Sequence, residues 1–235
     1  MPVLAREGDS HLGFITGPSV SFWFMHSVVN LFKDDWQHRF LADYMLVPGP
    51  YIHENRNRLV SEFLEAGRDW LFMVDNDMVF EPRDVWALYE EADARGPGVY
   101  VAPYLSEEGT IIAGPWDDQV PMVYHALLKI PDRPTEVGVV GAGFTLYHRD
   151  VLEAVGDNPF SSIRPDGGED VSFCWRAREH GYTPVLVPSS KPGHSKTFVI
   201  YPSGKVRNIL GEDVNLVEVD GRDGNTRVAP EEVRQ

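Results

Sequence analysis

The sequence contains the stretch WLFMVDND at residues 70–77, and the interpretation of the whole chain starts from it. Its first part, Trp70 to Val74, is a continuous apolar run, which is typical of a strand buried on both faces. The acidic triplet Asp75-Asn76-Asp77 follows at the carboxyl end of this predicted strand. Because ligands of open α/β sheets bind beyond the carboxyl ends of the strands, we expect the triplet to face a cleft.

Strands and helices are predicted to alternate around this stretch. Apolar runs and helical spacing predict strands at 12–16, 42–47 and 99–102, and helices at 21–33, 53–66 and 82–94. The prediction of the first helix depends on Ser21 as its N-terminal cap and on an apolar stripe of Phe22, Met25, Val29 and Phe32. This alternation predicts an α/β fold in which helices cover both faces of a parallel sheet.

The second half of the chain is less regular. Its sequence pattern predicts strands at 122–130, 137–147 and 185–187, and helices at 149–155 and 170–180. The sheet is therefore expected to gain antiparallel strands and to become mixed. Residues 1–210 are expected to form one domain, and residues 211–235 a small hairpin or a flexible tail that orders over a bound ligand as a lid.

Composition narrows the class of protein. The 235 residues suit one α/β domain, and the net charge of −15 disfavours nonspecific binding to nucleic acid. The single Cys174 excludes an internal disulfide framework and favours a reducing compartment. Neither a signal peptide nor an apolar stretch of the ~18 residues that span a bilayer is found. We expect a soluble, cytoplasmic protein without a transmembrane segment.

Asp75 and Asp77 are candidate metal ligands. Two carboxylates one residue apart repel each other, and a divalent cation that also holds a diphosphate would relieve the repulsion. The alternative is a turn rich in Asp and Asn, which is common. The buried strand before the triplet favours the functional interpretation.

Two other segments carry candidate chemistry. Glu169 and Asp170 precede a predicted helix, where Asp170 could cap the helix while Glu169 stands at the loop tip, or one of them could accept a proton. His194 lies in a predicted loop after a strand, where it is either an ordinary loop residue or a metal ligand.

Small and basic residues add weaker signals. Residues 141–144, Gly-Ala-Gly-Phe, could let a ligand lie against the backbone or could form a β-bulge. Arg56 and Arg58, near the start of a helix, could contact phosphate or could pair with Glu54 or Glu62 on the helix surface.

Taken in order, these motifs resemble those of the GT-A glycosyltransferases, particularly the family-2-like members. The resemblance rests on the Asp75–Asp77 triplet, on residues 141–144, on Gly168-Glu169-Asp170 with Arg176 in the following helix, on His194, and on Arg56-Asn57. It spans roughly residues 12 to 200. It implies a GT-A fold, a Rossmann-like nucleotide-binding mixed sheet flanked by helices, with a catalytic domain at 1–210.

The resemblance also implies roles for single residues. Asp77 and His194 would bind a divalent metal, Mn²⁺ or Mg²⁺, and Asp75 would lie near the metal or the donor ribose. Asp170, with Glu169 beside it, would bind the acceptor hydroxyl or act as base. The nucleotide-sugar donor would be held by Thr16, Gly17, Pro18, Arg56, Asp75, Asn76, Gly143 and Lys196.

The implied activity is metal-dependent hexosyl transfer from a nucleotide-diphosphate sugar, with UDP-sugars favoured, to a hydroxyl of a glycan, protein or small molecule. Pro48-Gly49-Pro50 stands where such enzymes often carry a base-contacting Asp, and the Gln-x-x-Arg-Trp motif of processive members is absent. A single transfer is therefore expected. Inversion is the favoured outcome and retention the alternative, because the same fold supports both. The alternatives are a sugar nucleotidyltransferase, disfavoured because residues 12–18 lack its glycine-rich basic loop, and a non-catalytic sugar-binding protein.

Overall fold

The computed structural model describes residues 8–16, 20–38, 41–106, 109–164, 168–195, 198–200, 206–208, 213–214, 216–220 and 226–230. The helices there are α1 (Phe22–His38), α2 (Ile52–Ala66), α3 (Pro82–Arg95), α4 (Arg149–Val155) and α5 (Glu169–Glu179). The strands are β1 (Ser10–Thr16), β2 (Leu41–Pro48), β3 (Trp70–Asp75), β4 (Met78–Val79), β5 (Val99–Val101), β6 (Ala113–Gly114), β7 (Thr135–Glu136), β8 (Val139–Val140), β9 (Phe144–His148), β10 (Val185–Leu186), β11 (Gly193–Ser195), β12 (Phe198–Ile200), β13 (Val206–Asn208), β14 (Asp213–Val214), β15 (Leu216–Asp220) and β16 (Thr226–Pro230).

A seven-stranded sheet in the order β2-β1-β3-β9-β5-β10-β7 organises the molecule. Strand β1 pairs in parallel with β2 and β3, and β10 pairs in parallel with β5. Strand β9 is antiparallel to both β3 and β5, and β7 is antiparallel to β10. The prediction of an α/β fold whose sheet becomes mixed is thus confirmed.

The register places the acidic triplet at one edge of this sheet. Ile15 of β1 lies opposite Asp75 of β3, and Val74 lies opposite Phe144 of β9. The carboxyl ends of β1 and β3 therefore meet the amino end of β9. This edge positions the candidate site.

Helices cover both faces of the sheet, as predicted. Leu71 and Met73 of β3 face a core shared with Leu59 and Phe63 of α2. Their neighbours Phe72 and Val74 face the opposite core, which is filled from α1 and α3 by Phe24, Val28, Leu31, Val85 and Leu88. The apolar run of β3 is continuous because each of its faces is buried.

A second sheet, in the order β14-β13-β12-β11-β4, lies beside the first. Strand β4 begins directly after the acidic triplet and is antiparallel to β11, with His194 opposite Met78. His194 therefore lies in a strand, and its prediction as a loop residue was wrong. The pairing of β4 with β11 brings residues 77 and 194 together.

Helix α1 buries a different face from the predicted one. Phe22, Met25, Val29 and Phe32 are exposed, whereas the core receives Phe24, Val28 and Leu31. Both stripes have helical spacing, so periodicity alone does not choose between them. The edge-to-face contact of Phe24 with Phe14 of β1 shows which stripe faces the sheet.

Two strand predictions in the second half were also wrong. Residues 122–130 form no strand, and their neighbourhood contains only an isolated bridge between Trp116 and Tyr124. The predicted strand at 137–147 is interrupted at residues 141–143, so β8 and β9 belong to different sheets. Local β-propensity identified apolar segments but not their partners.

Residues 216–220 and 226–230 of the C-terminal segment form two paired strands. Leu216 pairs with Pro230 and Asp220 with Thr226 in the antiparallel pair of β15 and β16. The expectation that residues 211–235 act as a lid stays a prediction. No helix within the described ranges is long and apolar enough to cross a membrane.

Arg149 closes the carboxyl end of α2. Its Nε donates to the Arg68 carbonyl at 2.7 Å, and its Nη2 donates to the Leu64 carbonyl at 3.1 Å. Its guanidinium also lies over the Phe63 ring, 5.2 Å from the centroid. The side chain thus satisfies carbonyls that a helix end leaves without partners.

We expect Arg149→Ala to lower the free energy of unfolding by about 2 kcal/mol, because several carbonyls lose a charged donor. Arg58→Ala is the control. It removes an exposed ion pair with Glu62 on α2 and should cost at most about 0.5 kcal/mol. Urea denaturation measures both, and equal losses would contradict the capping role.

Candidate functional site

Backbone hydrogen bonds fix the acidic triplet to its neighbouring strands. The Asp75 N–H donates to the Gly143 carbonyl at 2.9 Å, and the Asn76 N–H donates to the Ile15 carbonyl at 3.1 Å. The triplet is therefore held between the end of β1 and the start of β9. This agrees with its predicted place at the edge of the sheet.

Arg56 is buried at the centre of the site. Its Nη2 donates to Asp75 Oδ2 at 2.9 Å, its Nη1 donates to the Ala142 carbonyl at 3.3 Å, and its Nε lies 3.5 Å from Glu169 Oε1. Burial acts to lower the pKa of Arg56, but the charges of Asp75 and Asp170 raise it, so the guanidinium stays charged.

The sequence allowed Arg56 and Arg58 to form ion pairs on the helix surface, and only Arg58 does so. Arg58 pairs with Glu62 at 2.7 Å, as that alternative stated. Arg56 instead points inward to Asp75. A large share of the negative charge at the end of β3 is therefore balanced by a side chain from α2.

Asp170 is not the helix cap that the sequence suggested. The capping position of α5 is Gly168, so Asp170 lies inside the first turn and its side chain is free for other contacts. Asp170 Oδ2 accepts a hydrogen bond from the Ala142 N–H at 3.2 Å. Gly168 takes the cap position in an extended conformation, and the acidic side chains of the first turn line the site.

Glu169 and Asp170 are neighbouring carboxyls whose pKa values shift in opposite directions. Burial raises the pKa of Asp170 to about 8, with the Arg56 charge opposing and the Glu169 charge adding to the shift. For Glu169 burial also acts upward, but a hydrogen bond from Asp170 and the charge of Arg56 lower its pKa. Burial thus favours the protonated form of Asp170, whereas the Arg56 charge favours the ionised form of Glu169.

His194 and Asp77 form the second part of the site. His194 Nδ1 lies 2.7 Å from the Leu105 carbonyl, so this nitrogen must donate. In a neutral imidazole the other nitrogen, Nε2, then carries a lone pair, and Nε2 lies 3.3 Å from Asp77 Oδ2. Two acceptors this close need a cation or a proton between them, which is the arrangement expected of a metal ligand whose tautomer is fixed from behind.

The predicted three-ligand set is only partly assembled. No group of three or more His, Cys, Asp or Glu side chains in the described part of the chain is placed to hold a metal. Asp75 points to Arg56 with one oxygen, while its Oδ1 is buried without a hydrogen-bond partner. The donor set of Asp77 and His194 fits a cation that completes its shell with phosphate oxygens and water.

Tyr104 is a site residue that the sequence reasoning missed. Its hydroxyl accepts from the Gly143 N–H at 3.0 Å, and its ring packs edge-on against His194 at 5.4 Å. A side chain at Gly143 would meet this hydroxyl and Asp75 Oδ2. Tyr104 follows β5 at the same edge of the sheet, so the rule that pointed to Asp75 could have found it.

An open cleft of about 470 Å³ adjoins the acidic pair. Its lining includes Met122, Val123 and Val140 together with Glu169 and Asp170. Met122 has a φ of 62°, in the left-handed region that residues other than glycine seldom adopt. The cleft thus joins an apolar wall to the carboxylates.

The other predicted donor-binding residues are placed as follows. Thr16 is buried at the end of β1, and Asn76 lies in the triplet. Gly17, Pro18 and Lys196 lie outside the described residues. The structure brings Arg56, Asp75, Gly143, Glu169 and Asp170 into one network, with Asp77 and His194 beside it.

The chain is similar to solved structures but not to characterised sequences. No protein-family model matches it, and no curated protein matches it. The structure of A197 from STIV is similar with a TM-score of 0.64 and 20% identity, over 91% of this chain and 98% of that one. GalNAc-T7, solved with UDP, GalNAc and Mn²⁺, gives a TM-score of 0.55 and 13% identity, over 80% of this chain and 44% of that one.

Identities this low show the fold alone. The seven-stranded mixed sheet with helices on both faces matches these neighbours, and the chain has a GT-A-like fold.

We expect the buried proton on Asp170 to make stability depend on pH. A carboxyl in an unfolded chain loses its proton near pH 4, whereas folded Asp170 keeps it to about 8. Between these values the folded protein binds more protons than the unfolded chain, so the free energy of unfolding falls as pH rises. Asp170→Asn should flatten this fall in urea denaturation between about pH 5 and about pH 8.

The exposed Asp118→Asn is the control, since it removes one carboxylate from the same acidic chain. Parallel pH profiles for wild type and Asp170→Asn would show that Asp170 is ionised in the folded protein.

Proposed function

We propose that this protein is a metal-dependent glycosyltransferase that takes a sugar from a nucleotide diphosphate, with UDP-sugars favoured. The observation that carries the proposal is His194 Nε2, held with its lone pair 3.3 Å from Asp77 Oδ2. This pair lies at the sheet edge where α/β folds bind ligands. The GalNAc-T7 neighbour, solved with UDP and Mn²⁺, supports the same chemistry on a similar fold.

Asp77 and His194 would hold the cation, and the donor diphosphate would supply further ligands. A bound Mn²⁺ or Mg²⁺ would neutralise the charge that develops on the leaving diphosphate. The Leu105 carbonyl keeps the His194 lone pair directed at the cation by accepting the Nδ1 proton. Asp75 contributes negative charge nearby, while its salt bridge to Arg56 keeps it in place.

Glu169 would accept the proton of the acceptor hydroxyl in an inverting, single transfer. Both carboxyls line the cleft, and the charge of Arg56 lowers the pKa of Glu169, which favours its ionised form. The sequence left the base open between Asp170 and Glu169, and we choose Glu169 because a general base must be unprotonated.

The cleft is wide enough for part of an acceptor. Its apolar wall and its carboxylate end suit a glycan or a small molecule that presents a hydroxyl from a less polar body. Placement in the cytoplasm and a catalytic unit at residues 1–210 remain part of the proposal.

We expect Mn²⁺ and UDP to bind cooperatively. Because Asp77 and His194 are the two ligands that the described residues would supply, each ligand should tighten the other by the same factor, about 5- to 150-fold. Isothermal titration of UDP in EDTA and in Mn²⁺, and of Mn²⁺ with and without UDP, measures both sides. His194→Ala and Asp77→Asn should remove the coupling.

His125 provides a matched control, because it forms an exposed pair with Asp117 at 2.7 Å. His125→Ala should leave the coupling unchanged. Equal UDP affinity in EDTA and Mn²⁺ would overturn the metal bridge. Production of a nucleotide sugar from UTP and a sugar phosphate would identify a nucleotidyltransferase, and donor binding without turnover would identify a binding protein.

We expect Glu169→Gln to lower kcat by roughly 100-fold or more, since it removes the ionised carboxylate. Asp170→Asn should lower kcat less, because it keeps the shape of the side chain and leaves Glu169 in place. Single-turnover rates with a nucleotide sugar and an accepted hydroxyl compound test this order. A larger loss for Asp170→Asn would move the base to Asp170, and near-normal rates for both would favour a retaining reaction.

A further inference from the structure

Helix α1 carries a second apolar stripe that faces away from the core. It consists of Phe22, Met25, Val29, Phe32 and Trp36, with exposed fractions that reach 71% for Phe22 and 84% for Trp36. The spacing of three and four residues alternates along the whole stripe, which is the pattern of a helix-pairing seam. Since the opposite side of α1 already fills the core, this stripe is not needed for folding of the domain.

The stripe continues onto the edge strand of the sheet. Tyr44 and Leu46 of β2 are more than half exposed, and the Tyr44 ring contacts Phe32 with 5.8 Å between centroids. Among the described strands none pairs with the outer edge of β2, which is eight residues long. An exposed edge of this length is a template for pairing with another strand.

We call these residues the α1–β2 patch: Phe22, Met25, Val29, Phe32, Trp36, Tyr44 and Leu46. From their exposed fractions and typical side-chain areas, the patch presents roughly 700–800 Å². The largest apolar patch on a typical monomer is about 300–600 Å². A standard interface buries about 800 Å² per partner.

We propose that the α1–β2 patch is the interface of a two-fold symmetric homodimer. Strand β2 pairs antiparallel with β2 of a second copy, and the two α1 helices pack over the joint. A two-fold interface uses the same surface on both copies, and antiparallel pairing of one strand with itself meets this condition. The proposal is independent of the proposed function.

The face preference of β2 limits the register. Tyr44 and Leu46 lie on the α1 side of the strand, whereas Met45 and Val47 pack into the core on the α2 side. Both α1 helices are to lie on the same side of the joined sheet. Each residue of β2 must therefore lie opposite a residue whose side chain points to the same face of that sheet. Pairing centred on Tyr44 meets this requirement and places Asp43 opposite Met45 of the second copy, so that two Asp43 carboxylates do not face each other.

Charge favours a second copy over a membrane surface. Amphipathic helices that lie on membranes usually carry Lys and Arg on their polar face. The polar residues of α1 include Lys33 but also Asp34 and Asp35, and the whole chain has a net charge of −15. Anionic lipid would repel such a chain, and Lys33 is the one Lys or Arg side chain that α1 offers to such lipid.

Sedimentation velocity over a range of protein concentrations tests the proposal. We expect a monomer–dimer equilibrium that tightens when salt is raised from about 0.05 to about 0.5 M, because screening weakens repulsion but not apolar burial. Trp36→Glu should raise the dimer Kd by roughly 30-fold or more, as expected when a charge replaces a large aromatic side chain of an interface. Leu128→Glu, which changes a fully exposed leucine outside the patch, should leave the Kd unchanged.

Disulfide trapping gives a second measurement that does not depend on Trp36. Cys174 is the single cysteine and is buried, so Tyr44→Cys adds the accessible thiol. Opposed antiparallel residues have Cα atoms about 4.5–5.5 Å apart, within the range that a disulfide spans. Mild oxidation should link Tyr44→Cys into dimers much faster than Leu128→Cys.

Three results would overturn the dimer: a wild-type monomer at every concentration, equal effects of Trp36→Glu and Leu128→Glu, or equal trapping of the two cysteine variants. Flotation with neutral or anionic vesicles that Trp36→Glu abolishes would assign the patch to a membrane instead. Circular dichroism checks that each variant is folded, and Phe22→Ser replaces Trp36→Glu if the latter is not.

Discussion

The buried guanidinium of Arg56 is the interaction on which the site depends. A charge in the interior is tolerated only when it is paired, and Arg56 finds its partners on β3, on α5 and at the turn before β9. It thereby connects the elements that carry Asp75, Glu169 and Ala142. Without this cation the carboxylates would repel one another, and the start of α5 would lose its connection to the sheet edge.

The second constraint is the pairing of β4 with β11. It joins the acidic triplet to a segment more than a hundred residues later in the chain and sets His194 against Asp77. The Leu105 carbonyl and the Tyr104 ring then fix the imidazole from two other directions. The charge balance of the two halves differs: Arg56 compensates the half around Asp75, whereas Asp77 and His194 face each other with a proton or a cation needed between them.

Helix α1 shows how one element can serve two surfaces. Its inner stripe fills the core under β1, and its outer stripe extends the apolar surface of the edge strand. Among the described strands, none pairs with the outer edge of β2. The backbone N–H and C=O groups of this edge are therefore available for pairing, and the Tyr44 side chain beside them is exposed. The candidate site and the α1–β2 patch thus lie on different parts of one sheet.

The sequence by itself determined the α/β class, the buried strand β3, the acidic triplet at its end and the boundaries of α2, α3 and α4, because these follow from local periodicity, capping and turn residues. Only the tertiary structure decided which stripe of α1 is buried and that Arg56 points to Asp75. It also decided that Gly168 rather than Asp170 caps α5, and that His194 lies in a strand. Each of these depends on a partner distant in the chain, and spacing along the sequence carries no information about which distant group a side chain will meet.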